Sequence, residues 1–370
     1  MTRADFVGNS RVVSVLWTML ASGRLPHALL FTGPKGVGKF TLATLFARAV
    51  NCESNEGDAC GSCNVCRALT ALDNLPGLVR AAQAARGSAS PDSVPLILRP
   101  HPSVSVLVPD GAFIRVNQMR YVVRQAYTMP AGTHRNLFLI DQAEKLRFDY
   151  ADVLLKVLEE PPEHTTLILV TDAPFELRST IRSRCIQLFF APLARSEIET
   201  YLASARREWT KADQQLAAAL AAGSLGKALS LDFARTRETR RAALELLRAA
   251  VQESVQPESL FGATAALAGK GSRIGTEAGG SQEGFAFSLD ILYTVFTDLV
   301  YLKVGVPDLG LHHPEIGSEL QALSRRASWQ WLSHAVTHLD QVKGWQRRNV
   351  NRQLALDAWA LGWPESFSEI

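Results

Sequence analysis

The sequence predicts an α/β domain whose parallel sheet is covered by helices, followed by an all-helical region, and three observations carry that expectation. Five short β-branched and apolar runs, Ala28 to Thr32, Ser103 to Val108, Leu137 to Ile140, Leu167 to Thr171 and Cys185 to Phe189, alternate with segments of helical period. A glycine-rich loop stands between the first of these runs and a helix in which Leu42, Leu45, Phe46 and Ala49 recur at helical spacing. Beyond Pro192 no strand pattern appears; Ala- and Leu-rich helical sequence is divided by Gly223-Ser224 and by a Gly-rich loop, Gly269 to Gly284.

The bulk numbers fit this outline. A chain of 370 residues, 47% hydrophobic and 20% charged, can bury two or three cores, which excludes disorder as its dominant state. The opening residues, Met1-Thr2-Arg3-Ala4-Asp5, lead into no apolar signal-peptide core. The longest apolar stretch, Phe287 to Leu302, is broken by Asp290 and Asp298, so a soluble cytoplasmic protein without a membrane partner is expected. A net charge of +3 is too small to argue for nucleic acid, and any DNA contact is expected to be local or shared with partners. Between the cysteines at 52–66 and the second strand, Asp73 to Pro100 contains Gly87-Ser88-Ala89-Ser90-Pro91 and reads as a surface insertion with partial helix.

The glycine-rich loop, Gly33-Pro34-Lys35-Gly36-Val37-Gly38-Lys39, has the make-up of a phosphate loop. Its glycines let backbone amides converge on anionic oxygens, the following helix adds its dipole, and Lys39 can reach terminal phosphates. The next position, where Ser or Thr normally holds magnesium, is Phe40, and Thr41 is turned about 100° away around the helix. A second element, Asn136 to Ile140 followed by Asp141, is an apolar strand ending in a carboxylate, as in a magnesium-directing strand. Where a hydrolytic motor places Glu after that carboxylate, this chain has Gln142, and an amide cannot act as a base. Glu144 is a candidate substitute, with a solvated helix-start residue as the plain alternative. The expectation is a site that is empty or binds ATP and magnesium weakly, without turnover.

Cys52, Cys60, Cys63 and Cys66 carry the spacing Cys-x7-Cys-x2-Cys-x2-Cys, with Gly57 and Gly61 supplying turns. Two overlapping Cys-x2-Cys steps suit tetrahedral thiolate ligation of a structural zinc ion, with an iron-sulfur cluster as the main competitor and scattered free thiols as the plain alternative. Cys185 is expected to be free.

Thr180-Ile181-Arg182-Ser183-Arg184-Cys185 follows Leu158-Glu159-Glu160-Pro161-Pro162 and the strand ending Thr171-Asp172. An Arg on a short turn before an edge strand is placed to be donated across a subunit interface, where it can neutralise a neighbour's transferring phosphate. His334 and His338 share a helical face but lack the Glu of a metalloprotease helix, and read as surface or packing residues. Arg235, Arg237, Arg240 and Arg241 read as a solvated face.

Together, Arg24-Leu25-Pro26-His27-Ala28, the loop to Lys39, the four cysteines, the Glu159 to Pro162 step and Ser183-Arg184-Cys185 resemble the bacterial clamp-loader ATPase family of DNA polymerase III. The resemblance covers about residues 5 to 235. Phe40, Gln142 and Gly226, the last standing where the motor subunits carry a nucleotide-sensing Arg, place the likeness with the delta-prime type rather than with the gamma/tau motors. It implies a RecA-like AAA+ domain over residues 1–190 with an inserted zinc module at 52–66. It further implies a helical lid over 191–235 and a C-terminal helical collar over 236–370, whose last part is similar to Arg347 to Asp357. By the same resemblance, five subunits form an open ring with gamma/tau and delta subunits, Arg184 is offered to ATP on a gamma/tau neighbour, and the ring opens the sliding clamp on primed DNA. An active gamma/tau motor and another AAA+ protein, such as a Holliday-junction motor, are the rival readings.

Overall fold

The computed structural model describes residues 2–54, 57–130, 135–146, 151–251, 257–269, 280–305, 310–346 and 350–362. They form two compact units, one of residues 1–201 with 223–226, the other of 202–222 with 227–370.

The first unit is built on one six-stranded sheet. Its strands are β1 (Ala28–Thr32), β2 (Ile97–His101), β3 (Val104–Leu107), β4 (Asn136–Ile140), β5 (Thr165–Thr171) and β6 (Ile186–Phe189), in the order β2-β3-β4-β5-β1-β6. All neighbours are parallel except β2 against β3. Every residue of β1, β3, β4 and β5 is buried, which is why these strands read as unbroken apolar runs rather than alternating ones. All five expected strands are present. The sixth, β2, corrects the reading of Asp73 to Pro100 as an insertion with partial helix only. Helix α4 (Leu75–Arg86) supplies the helix, and Ile97 to His101 then add an antiparallel edge. Pro100 is tolerated there because an edge strand leaves some N–H groups without a ladder partner.

Helices α1 (Ser10–Ala21), α2 (Lys39–Val50), α3 (Asn64–Leu69), α5 (Val116–Ala126), α6 (Ala151–Glu159) and α7 (Ser179–Arg182) complete this unit, and α8 (Arg195–Ala205) leads out of it. The expected apolar residues of α2, Leu42, Leu45, Phe46 and Ala49, all lie in the core, and Ala43, Thr44, Ala47 and Arg48 between them are buried too. Because the strands are parallel, Thr32, Ile140 and Thr171 end β1, β4 and β5 at one edge of the sheet, and the loops leaving that edge carry the phosphate-loop residues, Asp141 and Asp172.

The second unit is helical, as the loss of strand pattern predicts. It comprises α9 (Lys211–Leu220), most of α10 (Leu225–Leu229), α11 (Phe233–Val251), α12 (Pro257–Leu267), α13 (Gly280–Val304), α14 (Gly317–Arg326), α15 (Trp329–Gln346) and α16 (Arg352–Leu361). Phe296, Trp331 and Trp359 meet edge to face or tilted in its core, and the Trp359 indole donates to the Ala335 carbonyl at 2.9 Å. Helix α16 is capped by Asn351, whose side chain accepts from the Gln353 and Leu354 amides.

Two expectations for this region change, and part of a third lies outside the described residues. Helix α13 already begins at Gly280, inside the segment expected as a Gly-rich loop, of which residues 270–279 lie outside the described residues. The basic run on α11 is only partly a solvated face: Arg240 is buried and donates to Glu315 at 2.7 Å, whereas Arg237 pairs with Asp213 at the surface. Of the run from Arg347 to Asp357, residues 347–349 lie outside the described residues. The stretch Gly284–Val304 has the length and composition to cross a membrane, with mean hydropathy 1.5, yet its Leu289, Leu292, Val295, Phe296 and Leu299 pack in this helical core. The buried Asp298 carboxylate accepts the His312 and His313 amides, which explains how that helix carries an acid.

Candidate functional site

The phosphate loop curls tightly over the end of β1. A Cβ at Gly33 would lie 2.3 Å from the Phe190 carbonyl oxygen, and one at Gly36, where φ is +77°, would lie 2.3 Å from Ser224 Oγ, so no other residue fits at either place. Lys39 does not extend into open space. Its ammonium, with the residue 4% exposed, donates to the Gly33 carbonyl, the Pro34 carbonyl and Asp172 Oδ1, each at 2.6 Å. The Gly226 amide donates to the Gly36 carbonyl at 2.9 Å, and the Phe6 ring lies 3.0 Å from where a Gly38 Cβ would be. The Lys39 ammonium is thus held by two carbonyls of the loop itself and by one carboxylate beyond it. Phe40 is half-buried beside the loop, and Thr41 is exposed.

Asp141 follows β4 and is drawn close to Lys39's partner. Burial raises its carboxyl to about 6; hydrogen bonds from Gln142 oppose that rise, and the charges of Asp172 and Glu144 add to it. Gln142 itself is exposed and has a left-handed backbone, with φ at 51°. Glu144 Oε2 accepts the Thr171 hydroxyl at 2.7 Å, so this carboxylate is tied to the end of β5. The sequence reading places the loop, Lys39 and Asp141 in one site, and the fold brings them together. It gives no role to Asp172, whose only sequence signal is its place directly after an apolar strand.

The four expected cysteines converge. Cys52 follows α2, Cys60 and Cys63 lie on the turn after it, and Cys66 is in α3; their sulfurs all lie within 4.8 Å of one another. The buried sulfurs of Cys52 and Cys66 are 3.8 Å apart, matching the sulfur separation of roughly 3.8 Å that a tetrahedron with Zn–S bonds of about 2.3 Å requires. Backbone amides point at the sulfurs: Cys60 N to Cys52 Sγ and Cys63 N to Cys60 Sγ at 3.3 Å, and Cys66 N to Cys63 Sγ at 3.4 Å. Such donors favour thiolates, and the Ser62 hydroxyl above all draws the exposed Cys60 thiol down to about 5. Burial pushes Cys66 up to about 12, a cost that a bound cation would remove. This donor set could hold a metal ion. The module is pinned to α2 by Arg48, which donates to the Leu69 carbonyl at 2.9 Å and to Asp73 at 2.6 Å. Cys185 is a free thiol, pushed up to about 12 by burial.

Arg184 lies on the turn between α7 and β6 with its side chain 35% exposed. Its guanidinium donates to the Thr180 carbonyl at 3.0 Å and pairs with Glu159 at 2.8 Å. Nearby, Phe175 is 88% exposed, with the Arg182 guanidinium 5.2 Å from its ring centre. His334 and His338 lie side by side on α15 with ring centres 3.9 Å apart and planes tilted by 39°; among the described residues, only the four cysteines form a cluster of three or more side chains that could hold a metal.

A family model described as "DNA polymerase III, delta subunit" matches residues 8–194, the span that holds the phosphate loop, the cysteines and Arg184. The chain belongs to this clamp-loader family. A second family model, for the C-terminal part of the DNA polymerase III delta subunit, matches residues 281–365 in the helical unit. Among curated relatives, DNA polymerase III subunit tau of Escherichia coli is 33% identical over 62% of this chain and 32% of its own length. Subunit delta' of Bacillus subtilis is 30% identical over 52% of this chain and 50% of its own length. The chain therefore spans from 32% to 50% of the length of these relatives. A solved DNA polymerase III gamma subunit-related protein of Thermotoga maritima aligns over 94% of this chain and 97% of its own, at 15% identity and a TM-score of 0.39.

Proposed function

We propose that the chain is a delta-prime-type subunit of a DNA polymerase III clamp loader: a stator that does not itself hydrolyse ATP, donates Arg184 to a gamma/tau neighbour and helps load the sliding clamp onto primed DNA. The observation that carries this reading is the phosphate loop turned on itself. Lys39 is committed to Gly33, Pro34 and Asp172, the magnesium position is Phe40, and the position of the water-orienting Glu is Gln142. Nucleotide binding through the Gly33 to Lys39 backbone, Thr41 and Asp141 has to displace those contacts, and without a hydroxyl at position 40 the metal lacks its usual protein ligand.

Arg184 is the complementary half of the reading. Its turn is exposed, its charge is not buried, and stabilising a phosphoryl transition state requires an anion that another subunit holds. Gamma/tau and delta subunits in a five-membered ring are the partners this implies. Residues 191–235 would act as the lid and 236–370 as the collar, in the bacterial cytoplasm where such rings work. The metal of Cys52, Cys60, Cys63 and Cys66 is read as structural zinc: four thiolates leave no position for water, and d¹⁰ zinc accepts the tetrahedron without redox chemistry.

A second reading, a hydrolysing gamma/tau motor, is favoured by the complete glycine pattern and Lys39, and by the likeness to E. coli tau. ATP turnover separates the two. The stator is silent alone and raises turnover when added to gamma/tau, delta, clamp and primed DNA; the motor turns over ATP by itself.

A further inference from the structure

We propose that Glu159 is the positioning residue for Arg184, and that α6 forms an acidic cradle for the turn, in which Glu159 alone holds the guanidinium ready until a neighbour's phosphate takes it over. This rests on the reading of Arg184 as a residue donated across a subunit interface. The geometry behind it is a matched pair of ion pairs. Asp152 and Glu159 stand seven residues apart on α6, two turns of helix, and so share one face. Asp152 pairs with Arg178 and Glu159 with Arg184, the residues that flank the one-turn helix α7 on either side. The turn that carries Arg184 is therefore fastened to α6 at both ends.

Both partners are fixed before the side chains meet. Glu159 is the last residue of α6, stopped by Pro161-Pro162, and the Tyr127 hydroxyl donates to the next carbonyl, that of Glu160, at 3.1 Å. The Arg184 amide donates to the Ile181 carbonyl at 3.1 Å, and its own carbonyl lies 3.1 Å from His27 Nε2, just before β1. What remains loose is the Arg184 side chain, one of the most rotamer-rich in proteins, and Glu159 with the Thr180 carbonyl restrains it.

The restraint is weak enough to yield. The pair is open to solvent, with Arg184 35% and Glu159 49% exposed, and such pairs contribute little stability. Two of the five guanidinium N–H groups are committed, which leaves donors for a phosphate to engage, and a polyanion competes well against one exposed carboxylate. Glu159 then acts by lowering the ordering cost of the donated side chain.

The test uses the complete clamp loader, reconstituted from this chain with gamma/tau, delta, sliding clamp and primed DNA. Glu159→Ala and Glu159→Gln should each lower the kcat of stimulated ATP hydrolysis by roughly three- to tenfold, leaving the KM for ATP and the melting temperature of the chain near wild type. Glu159→Asp should recover part of the loss. The double variant Glu159→Ala/Arg184→Ala should match Arg184→Ala alone, which a general structural role would not produce. Should Arg184→Ala lower the rate while both Glu159 variants match or exceed wild type, or should the two losses add, the cradle is wrong and the donated arginine stands. If Arg184→Ala itself changes nothing, the underlying reading fails, and the cradle with it.

Discussion

The phosphate loop and the Arg184 turn share one compact unit and treat their charges in opposite ways. Lys39 is 4% exposed and held by three oxygens at 2.6 Å, whereas Arg184 is 35% exposed and held by one carbonyl and one solvent-facing carboxylate. A cation satisfied from within has little to gain from a nucleotide; a cation held loosely at the surface is available to someone else's. The contrast is the basis for proposing the chain as a giver rather than a user of transition-state stabilisation.

The largest expected effect lies on the outward side. Arg184→Ala should reduce hydrolysis at the neighbouring site that it is proposed to complete by roughly 10³-fold or more while the chain still folds, measured as single-turnover ATP cleavage in the reconstituted complex. Next comes the module that stiffens the base of α2, the helix that the phosphate loop opens. Cys63→Ser should abolish stoichiometric metal binding and cost on the order of several kcal/mol of stability, read by metal analysis and thermal melting. A stable variant that still holds zinc would remove the structural role of the site.

The inward side gives smaller effects with a defined sign. Asp141 is raised to about 6 in the folded chain from an ordinary 3.8, so its contribution to stability is full below about pH 4 and is lost as pH rises through about 6. Asp141→Asn should therefore stabilise the chain at pH 8, by something on the order of 2 kcal/mol, and make no difference near pH 4. A variant that melts like wild type at both would show that burial does not strain this carboxylate. Smallest is Asp172→Asn, which loosens Lys39 and removes a negative charge near the phosphate path. Because Asp172 is partly exposed, about 1 kcal/mol is at stake, seen as roughly fivefold tighter nucleotide binding in a fluorescence titration. Unchanged binding would mean that the Lys39 contacts do not close the loop.

Much of this was legible in the sequence wherever signals were local. The buried parallel strands are continuous apolar runs, the phosphate loop is bracketed by strand and helix, and four cysteines within one short segment have few ways to arrange themselves. Strand β2 escaped because Arg99-Pro100 breaks the apolar run, and it pairs only through β3 at an edge. The partners of Lys39 and Arg184 escaped for another reason. Asp172 is 133 residues from Lys39 in sequence, and its approach is dictated by β1 and β5 lying side by side. Glu159 meets Arg184 only because α6 packs beside the α7 turn. No periodicity encodes such meetings; they follow from topology.

A chain that serves a neighbour's ATP rather than its own differs from a motor first of all in ATP turnover. The purified chain should show no steady-state hydrolysis above background. Added to gamma/tau, delta, clamp and primed DNA, it should raise turnover in a manner that depends on Arg184. Hydrolysis by the lone chain at a rate comparable with that of the complex would contradict the account and return Phe40 and Gln142 to the status of tolerated substitutions in a working motor.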